Sequence, residues 1–378
     1  MPFFELEKTL PSSKARAGRL RTAHGEIPTP VFMPVGTAGS VKAMSPRSLR
    51  EIGASLILGN TYHLYLRPGT EIIAQAGGLH RFMGWDGALL TDSGGFQVWS
   101  LETLRKISEA GVEFRSHIDG SAHLFTPESV MEAQRRIGAD IIMAFDECTP
   151  YPATPEETEK SLGLTRKWTE RALAWLADHP PLHGYPQSFF GIVQGGMREE
   201  SRRSALEHLV PLDLPGYAVG GLSVGDPAEL IYSMADFCTS LLPADKPRYV
   251  MGVGTPANLL NLIGLGVDMF DCVLPTRNAR NGTVYTWEGP LHYKAARHAR
   301  ETDRPLDDRC ACYACRNFSR AYLRHLFVAG EILALELATL HSLHFYSELM
   351  AESRKHILEG SFSVWSKELL DRWAGQSL

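Results

Sequence analysis

The feature that most restricts how this chain can fold is the way its apolar runs end. Eight short apolar stretches recur before residue 281: Val31–Val35, Ser55–Gly59, Ala88–Thr91, Asp140–Phe145, Phe189–Val193, Tyr217–Val219, Arg248–Gly252 and Val267–Val273. Amphipathic patterns such as Glu156–Ala177 and Ala228–Leu242 lie between several of them. Strands that alternate with crossover helices build a parallel sheet, and eight is the number that closes a barrel. Seven of the runs stop on glycines and polar side chains: Gly59-Asn60-Thr61, Thr91-Asp92-Ser93-Gly94-Gly95, Asp146-Glu147-Cys148, Gln194-Gly195-Gly196, Gly220-Gly221-Leu222, Gly252-Val253-Gly254 and Asp271-Cys272. One such end reads as an ordinary turn. Seven in register point to a single rim, at the carboxyl ends of the strands, where barrel sites are built.

The alternation stops after Arg280. Asn281–Tyr293 contains Asn281-Gly282 and reads as a small hairpin, and Asp303–Cys315 as a polar loop. Two amphipathic helices are expected over Phe318–Ala329 and Ile332–Leu349. Val112–Thr126, with Asp119-Gly120 at its centre, reads as a hairpin inserted in a barrel loop. The expected organisation is a barrel with an N-terminal extension and loop insertions over 1–280, a subdomain over 281–345, and a helical segment over 346–378 that completes the barrel.

Of six cysteines (the others being Cys148, Cys238 and Cys272), Cys310, Cys312 and Cys315 lie within six residues. That spacing suits a metal rather than a disulfide framework. A tetrahedral structural zinc needs a fourth ligand. His341 lies 26 residues on, but His344, His325 and His298 compete, and spacing does not choose among them. Three thiolates and an imidazole leave no open position, so such a metal would hold structure.

Length and composition set the outer bounds. The 378 residues, 44% hydrophobic and 21% charged, accommodate a barrel of about 250 residues with additions. No run of 18 apolar residues occurs, so no membrane span is expected. The N-terminus lacks a signal peptide's basic-then-apolar order, so a cytoplasmic protein is expected. The formal charge of −5 does not advertise a nucleic-acid partner. Locally, however, Thr276–Arg324 holds ten Lys/Arg against five Asp/Glu, a candidate phosphate-binding face.

Several motifs coincide with one family. Thr91-Asp92-Ser93-Gly94-Gly95-Phe96-Gln97, Gly191-Ile192-Val193-Gln194-Gly195-Gly196, Tyr217-Ala218-Val219-Gly220-Gly221-Leu222-Ser223-Val224-Gly225, Phe270-Asp271-Cys272-Val273-Leu274-Pro275-Thr276-Arg277 and the cysteine–histidine pattern follow one another in the family's order. From about Gly18 to about Leu349 the chain resembles the bacterial tRNA-guanine transglycosylases, the queuine tRNA-ribosyltransferase family. The resemblance implies a (β/α)8 TIM barrel with a C-terminal zinc-binding subdomain, acting as a homodimer on the tRNA anticodon loop. It implies exchange of the wobble guanine of GUN-anticodon tRNAs (for Asp, Asn, His and Tyr) for preQ1, 7-aminomethyl-7-deazaguanine. That exchange is a step of queuosine biosynthesis and runs through a covalent enzyme–RNA intermediate. One structural Zn2+ per subunit is implied, on Cys310, Cys312, Cys315 and His341. The archaeal branch that makes archaeosine carries further RNA-binding domains, and a non-catalytic accessory subunit would be expected to lose the context of Asp92 and Asp271; both rivals fit this chain less well.

The chemistry explains the residue types. Breaking an N-glycosidic bond makes an oxocarbenium-like sugar that water would hydrolyse, whereas a carboxylate attacking C1′ stores it as an ester. By resemblance Asp271 is that nucleophile and Asp92 the general acid/base. Asp146 matches the carboxylate that reads the guanine N1–H and N2–H2 donors. Gln194 and the Gly221 N–H match the donors to O6, and Phe96 and Met251 the walls that sandwich the purine. Ser93, Gly94, Gly95, Cys148 and Leu222 complete the implied base pocket. Val224, in Leu222-Ser223-Val224-Gly225, is expected to crowd out queuine and admit preQ1, whose ammonium the Leu222 carbonyl could accept. The implied RNA contacts are Gly252, Val253, Gly254, Thr255, Pro256, Ala257 and Asn258, with Thr276, Arg277, Asn278, Ala279 and Arg280 after the nucleophile. A stacked wobble base is out of reach, so it should be flipped into the pocket, and sequence-specific RNA readers favour such unstacked loops.

Overall fold

A computed structural model describes residues 2–101, 105–222, 225 and 227–374. Eight parallel strands form one sheet: β1 (Val31–Met33), β2 (Leu56–Gly59), β3 (Ala88–Thr91), β4 (Ile141–Met143), β5 (Ser188–Val193), β6 (Gly216–Val219), β7 (Arg248–Val250) and β8 (Met269–Asp271). Each pairs with its sequence neighbours, and β8 pairs with β1. A bridge between Val35 and Leu58 joins β1 to β2, with the Leu58 N–H donating to Pro34 O at 3.0 Å, so the ring closes. The strands are buried on both faces, as a parallel barrel sheathed in helices requires. This is the expected TIM barrel, each strand lying on its apolar run, with the fourth and eighth strands cut to three residues inside theirs and the fifth and sixth each beginning one residue earlier.

Local signals start the outer helices where the sequence places them. Thr154 and Glu157 form a reciprocal capping box before Pro155–Asp178, as Thr126 and Ser129 do before Pro127–Ile137. The Val112–Thr126 insertion is a hairpin of Gly111–Arg115 and Ala122–Phe125, widened to three strands by Lys106–Ser108. The small hairpin after Arg280 pairs Val284–Thr286 with Gly289–Leu291.

Two features depart from the sequence expectation. The N-terminal extension is a three-stranded antiparallel sheet: Phe4–Thr9, Arg16–Thr22 and Gly25–Thr29. Its pattern is masked because Arg16, fully buried, pairs with the buried Asp268 just before β8, while Arg19 and Arg21 pair outward with Glu7, Glu26 and Glu5. The sheet's turn is also fastened to the barrel: Asp140 accepts from His24 at 2.8 Å and from His80 at 3.2 Å. The two imidazoles stack 3.6 Å apart at 15°. Ring planes so nearly parallel share no point where one metal could meet both lone pairs, so the carboxylate is what joins them. Second, the last long helix does not stop near Leu349 but runs unbroken from Ile332 to Glu359, across the position where the sequence reading divides subdomain from closing segment. Its first half serves the cysteine cluster. Its second half packs on the N-terminal sheet, where Arg354 donates to the carbonyls of Gly18 and Thr29. No helix among the described residues is long and apolar enough to cross a membrane.

Candidate active site

The rim at the carboxyl ends of the strands brings together the residues that the sequence scatters over 180 positions. Asp92, directly after β3, is buried and fully engaged. Its Oδ2 accepts from Asn60 Nδ2 at 2.5 Å and from Gln97 Nε2 at 2.8 Å, and its Oδ1 from the Thr61 N–H at 2.8 Å. Burial pushes its pKa up to about 6 against those three donors, and the neighbouring Asp271 charge pushes the same way.

Asp271 ends β8 and is only half-buried. Tyr249 Oη donates to its Oδ1 at 2.5 Å and the Gly252 N–H at 2.8 Å. Oδ2 has no donor among the described residues. Burial raises the Asp271 pKa, and the Tyr249 hydrogen bond opposes the rise. Tyr249 itself is buried, and burial together with the adjacent Asp271 charge holds its phenol well above the ordinary value, so it stays a donor.

A third carboxylate, Asp146 after β4, is buried to the same degree as Asp92. Gln194 Nε2 donates to its Oδ2 at 2.7 Å and Ser93 Oγ to its Oδ1 at 3.2 Å. Burial, the main cause, pushes its pKa up to about 6. The Gln194 Oε1 is buried without a hydrogen-bond partner. Gly221, at φ +66°, lies over this amide: a Cβ there would sit 2.7 Å from Oε1, so only glycine lets the backbone approach so closely. Phe96 is exposed and Met251 half-buried, while Cys148 and Leu222 are buried. Ser223 and Val224 lie outside the described residues.

The stretch after β7 runs from the exposed Gly252 through the buried Val253 and Gly254 to Thr255, whose side chain caps the helix Pro256–Gly264 at Asn258. After β8, Leu274–Arg280 is a helix with Arg277 exposed, Thr276 and Ala279 buried, and Asn278 and Arg280 between. Arg280 Nη1 is buried with no hydrogen-bond partner, and burial lowers the guanidinium's pKa. Sequence reasoning gave no role to Asn60, Thr61, Gln97 or Tyr249. Asn60 and Gln97 sit in stretches it singled out, but Tyr249 reads as one more apolar strand residue.

Away from the rim, Cys310, Cys312, Cys315 and His341 are buried with their ligand atoms all within 4.8 Å of one another. None of the six cysteines is in a disulfide. His341 Nδ1 lies 3.3 Å from Cys315 Sγ and 3.7 Å from Cys312 Sγ, while its Nε2 donates to the Tyr285 carbonyl at 2.9 Å. That outer hydrogen bond leaves Nδ1 as the ligating nitrogen. The choice left open by spacing therefore falls on His341. His344 Nδ1 reaches only Cys310, at 3.5 Å, and Glu348; His298 is bound to Glu301, and His325 is exposed. A tetrahedral cation that takes three thiolates and a nitrogen fits this donor set.

The pattern of the queuine tRNA-ribosyltransferase family matches residues 12–375. A queuine tRNA-ribosyltransferase of Caldanaerobacter subterraneus subsp. tengcongensis is 57% identical over 363 residues, 96% of this chain and 95% of its own length. Those of a Thermoanaerobacter species and of Solidesulfovibrio magneticus are 55% identical over 370 residues and 56% over 355, covering 98% and 94% of this chain and 97% and 94% of theirs. With that pattern running through barrel and cysteine cluster alike, and relatives above half identity over nearly the whole length, the chain belongs to the queuine tRNA-ribosyltransferase family.

Proposed function

We propose that this enzyme exchanges the wobble guanine of GUN-anticodon tRNAs for preQ1 by double displacement, with Asp271 as nucleophile and Asp92 as the proton-transfer group. The observation that carries the reading is the unequal treatment of the two rim carboxylates. Asp92 has both oxygens taken by three donors. Asp271 has both of its donors on one oxygen, which leaves Oδ2 open to attack a sugar.

In the first half-reaction Asp271 Oδ2 bonds to C1′, the C1′–N9 bond breaks, and its electron pair leaves with the guanine, which Asp92 protonates. In the second, Asp92 takes the proton from preQ1, whose ring nitrogen attacks C1′ and returns the electron pair of the ester bond to Asp271. Two inversions retain configuration. A carboxyl group with a pKa of about 6 suits proton traffic near neutral pH.

Asp146 supplies the acceptors for the purine N1–H and N2–H2, and Gln194 with the Gly221 N–H the donors to O6. Offering O6 the Gln194 amide hydrogen requires the amide to turn from Asp146, which its unpartnered Oε1 allows. The buried, unpaired Nη1 of Arg280 and the exposed Arg277 would hold anticodon phosphates. Cys310, Cys312, Cys315 and His341 would hold a zinc ion, which with four protein ligands would supply structure rather than chemistry at C1′. The cytoplasmic setting and the homodimer belong to the same reading, and sedimentation of the purified chain tests the latter.

The decisive experiment incubates the enzyme with unmodified tRNA-Tyr transcript and labelled preQ1 or queuine. Label from preQ1 should enter the RNA, and without added base a covalent adduct should survive denaturing electrophoresis. The adduct should disappear in Asp271→Asn and persist in Asp92→Asn; the reverse pattern would exchange the two roles. Entry of queuine alone would refute preQ1 as the substrate.

A further inference from the structure

The helix Ile332–Glu359 carries a second polar group that neither the cluster nor the rim accounts for. Five residues beyond His341, Tyr346 is fully buried, its ring tilted against Phe32 of β1 at 4.6 Å. Its hydroxyl donates to the carbonyl of Gly254 at 2.6 Å. Gly254 closes the short loop after β7 whose other end, Gly252, gives its N–H to Asp271 Oδ1. The loop has no room to drift toward β8, because a Cβ on Gly254 would sit 2.1 Å from Cys272 Cβ, the residue after Asp271. From the far side only the Tyr346 hydroxyl holds the Gly254 carbonyl among the described hydrogen bonds.

We propose that Tyr346 is a positioning residue for Asp271: by anchoring Gly254 it fixes the loop that presents the Gly252 N–H, and so keeps the open Oδ2 aimed at C1′. The proposal rests on the reading of Asp271 as nucleophile. It also gives the cysteine cluster a route to the chemistry. His341 and Tyr346 share one rigid helix, so a metal that pins the first fixes where the second stands. Nothing in the sequence suggests this link, because Tyr346 reads as one more aromatic on an apolar helix face.

Tyr346→Phe removes the hydroxyl and keeps the ring, so it separates positioning from packing. The test measures kcat, KM for RNA and for preQ1, and single-turnover adduct formation at saturating RNA. Rates are taken per folded, metal-loaded molecule, and Asp271→Asn runs alongside. The expected result is a fall in kcat and adduct rate of roughly 10–100-fold, as for a reacting group displaced by a fraction of an ångström. Both KM values, metal content and unfolding midpoint should stay near those of the parent. Gly254→Ala, which pushes the same loop from the Cys272 side with the hydroxyl intact, should lower kcat as well. Parental kcat in Tyr346→Phe overturns the proposal, and so does a loss that vanishes when rates are expressed per folded molecule. An adduct that survives in Asp271→Asn overturns instead the reading on which the proposal stands, whatever Tyr346→Phe does.

Discussion

The rim and the cysteine cluster are both buried polar sites, and they are built in opposite ways. The cluster draws four residues from a stretch of 32, all with their ligand atoms within 4.8 Å of one another around a point that a cation could fill. The rim draws its carboxylates from β3, β4 and β8, and each is held by its own separate set of donors. A closed donor set can hold an ion and do little else. An open set, with two carboxyl groups pushed up to about 6 by burial and one oxygen of Asp271 unengaged, is arranged to act on something that enters. The same kind of material becomes scaffold or site according to whether its lone pairs are spent internally.

The sharpest way to break this contrast is a crossed pair of variants. Asp271→Asn should reduce exchange on the order of 10⁴-fold or more, as for a lost nucleophile, with folding and metal content unchanged. Cys312→Ser should do the converse: it should lose the metal and lower the unfolding midpoint by many degrees, since structural metal sites are coupled to folding. Atomic absorption and calorimetry on both variants check this. Metal loss without destabilisation would remove the structural role given to the cluster.

Within the rim, Asp92→Asn should slow exchange by about 10²–10⁴-fold, the range for a general acid/base. Because the attacking group remains, adduct should still accumulate slowly. Single-turnover kinetics separate this from Asp271→Asn; equal and total loss of adduct in both would erase the division of labour.

The third prediction concerns pH. Asp146 titrates near 6 when folded and near 3.9 when unfolded, so its contribution to stability is fully present below pH 4 and is lost as pH rises through about 6. The loss is at most about 3 kcal/mol, by the free energy per pKa unit. Asp146→Asn should therefore gain stability relative to the parent between pH 5 and pH 8, even though it should no longer select guanine. Parallel denaturation curves at both pH values would contradict a buried ionised carboxylate. The smallest effect is expected of His344→Ala. That side chain touches Cys310 from outside the four-ligand set, so the metal should stay and stability should change by less than about 1 kcal/mol. Loss of metal in this variant would move the fourth ligand from His341 to His344.

Much of the fold was legible because its signals are short-range. Apolar runs and glycine-rich strand ends each lie within a few residues, and they suffice for the eight barrel strands, while amphipathic patterns suffice for the helices Pro155–Asp178, Ala228–Leu241 and Arg320–Ala329. The cysteine spacing likewise announced a metal site. The N-terminal sheet was not legible, since Arg16 looks like a surface residue until Asp268, 252 positions away, neutralises it. The full length of the last helix was not legible either, because its two halves serve two different structures.

What the sequence determined by itself is the inventory: which residues stand at strand ends, which thiols can share a cation, and which family's motifs these are. What the tertiary structure alone decided is who holds whom. It gave the fourth ligand position to His341, whose other nitrogen is tied to Tyr285, and it gave Asp92 the donors Asn60, Thr61 and Gln97. It made Tyr249 and Gly252 the partners of Asp271, and it joined the cluster to the rim through Tyr346 and Gly254. The reason is physical. A hydrogen bond's direction and a carboxylate's burial depend on atoms brought within about 3 Å by barrel closure. No periodicity along the chain carries that information.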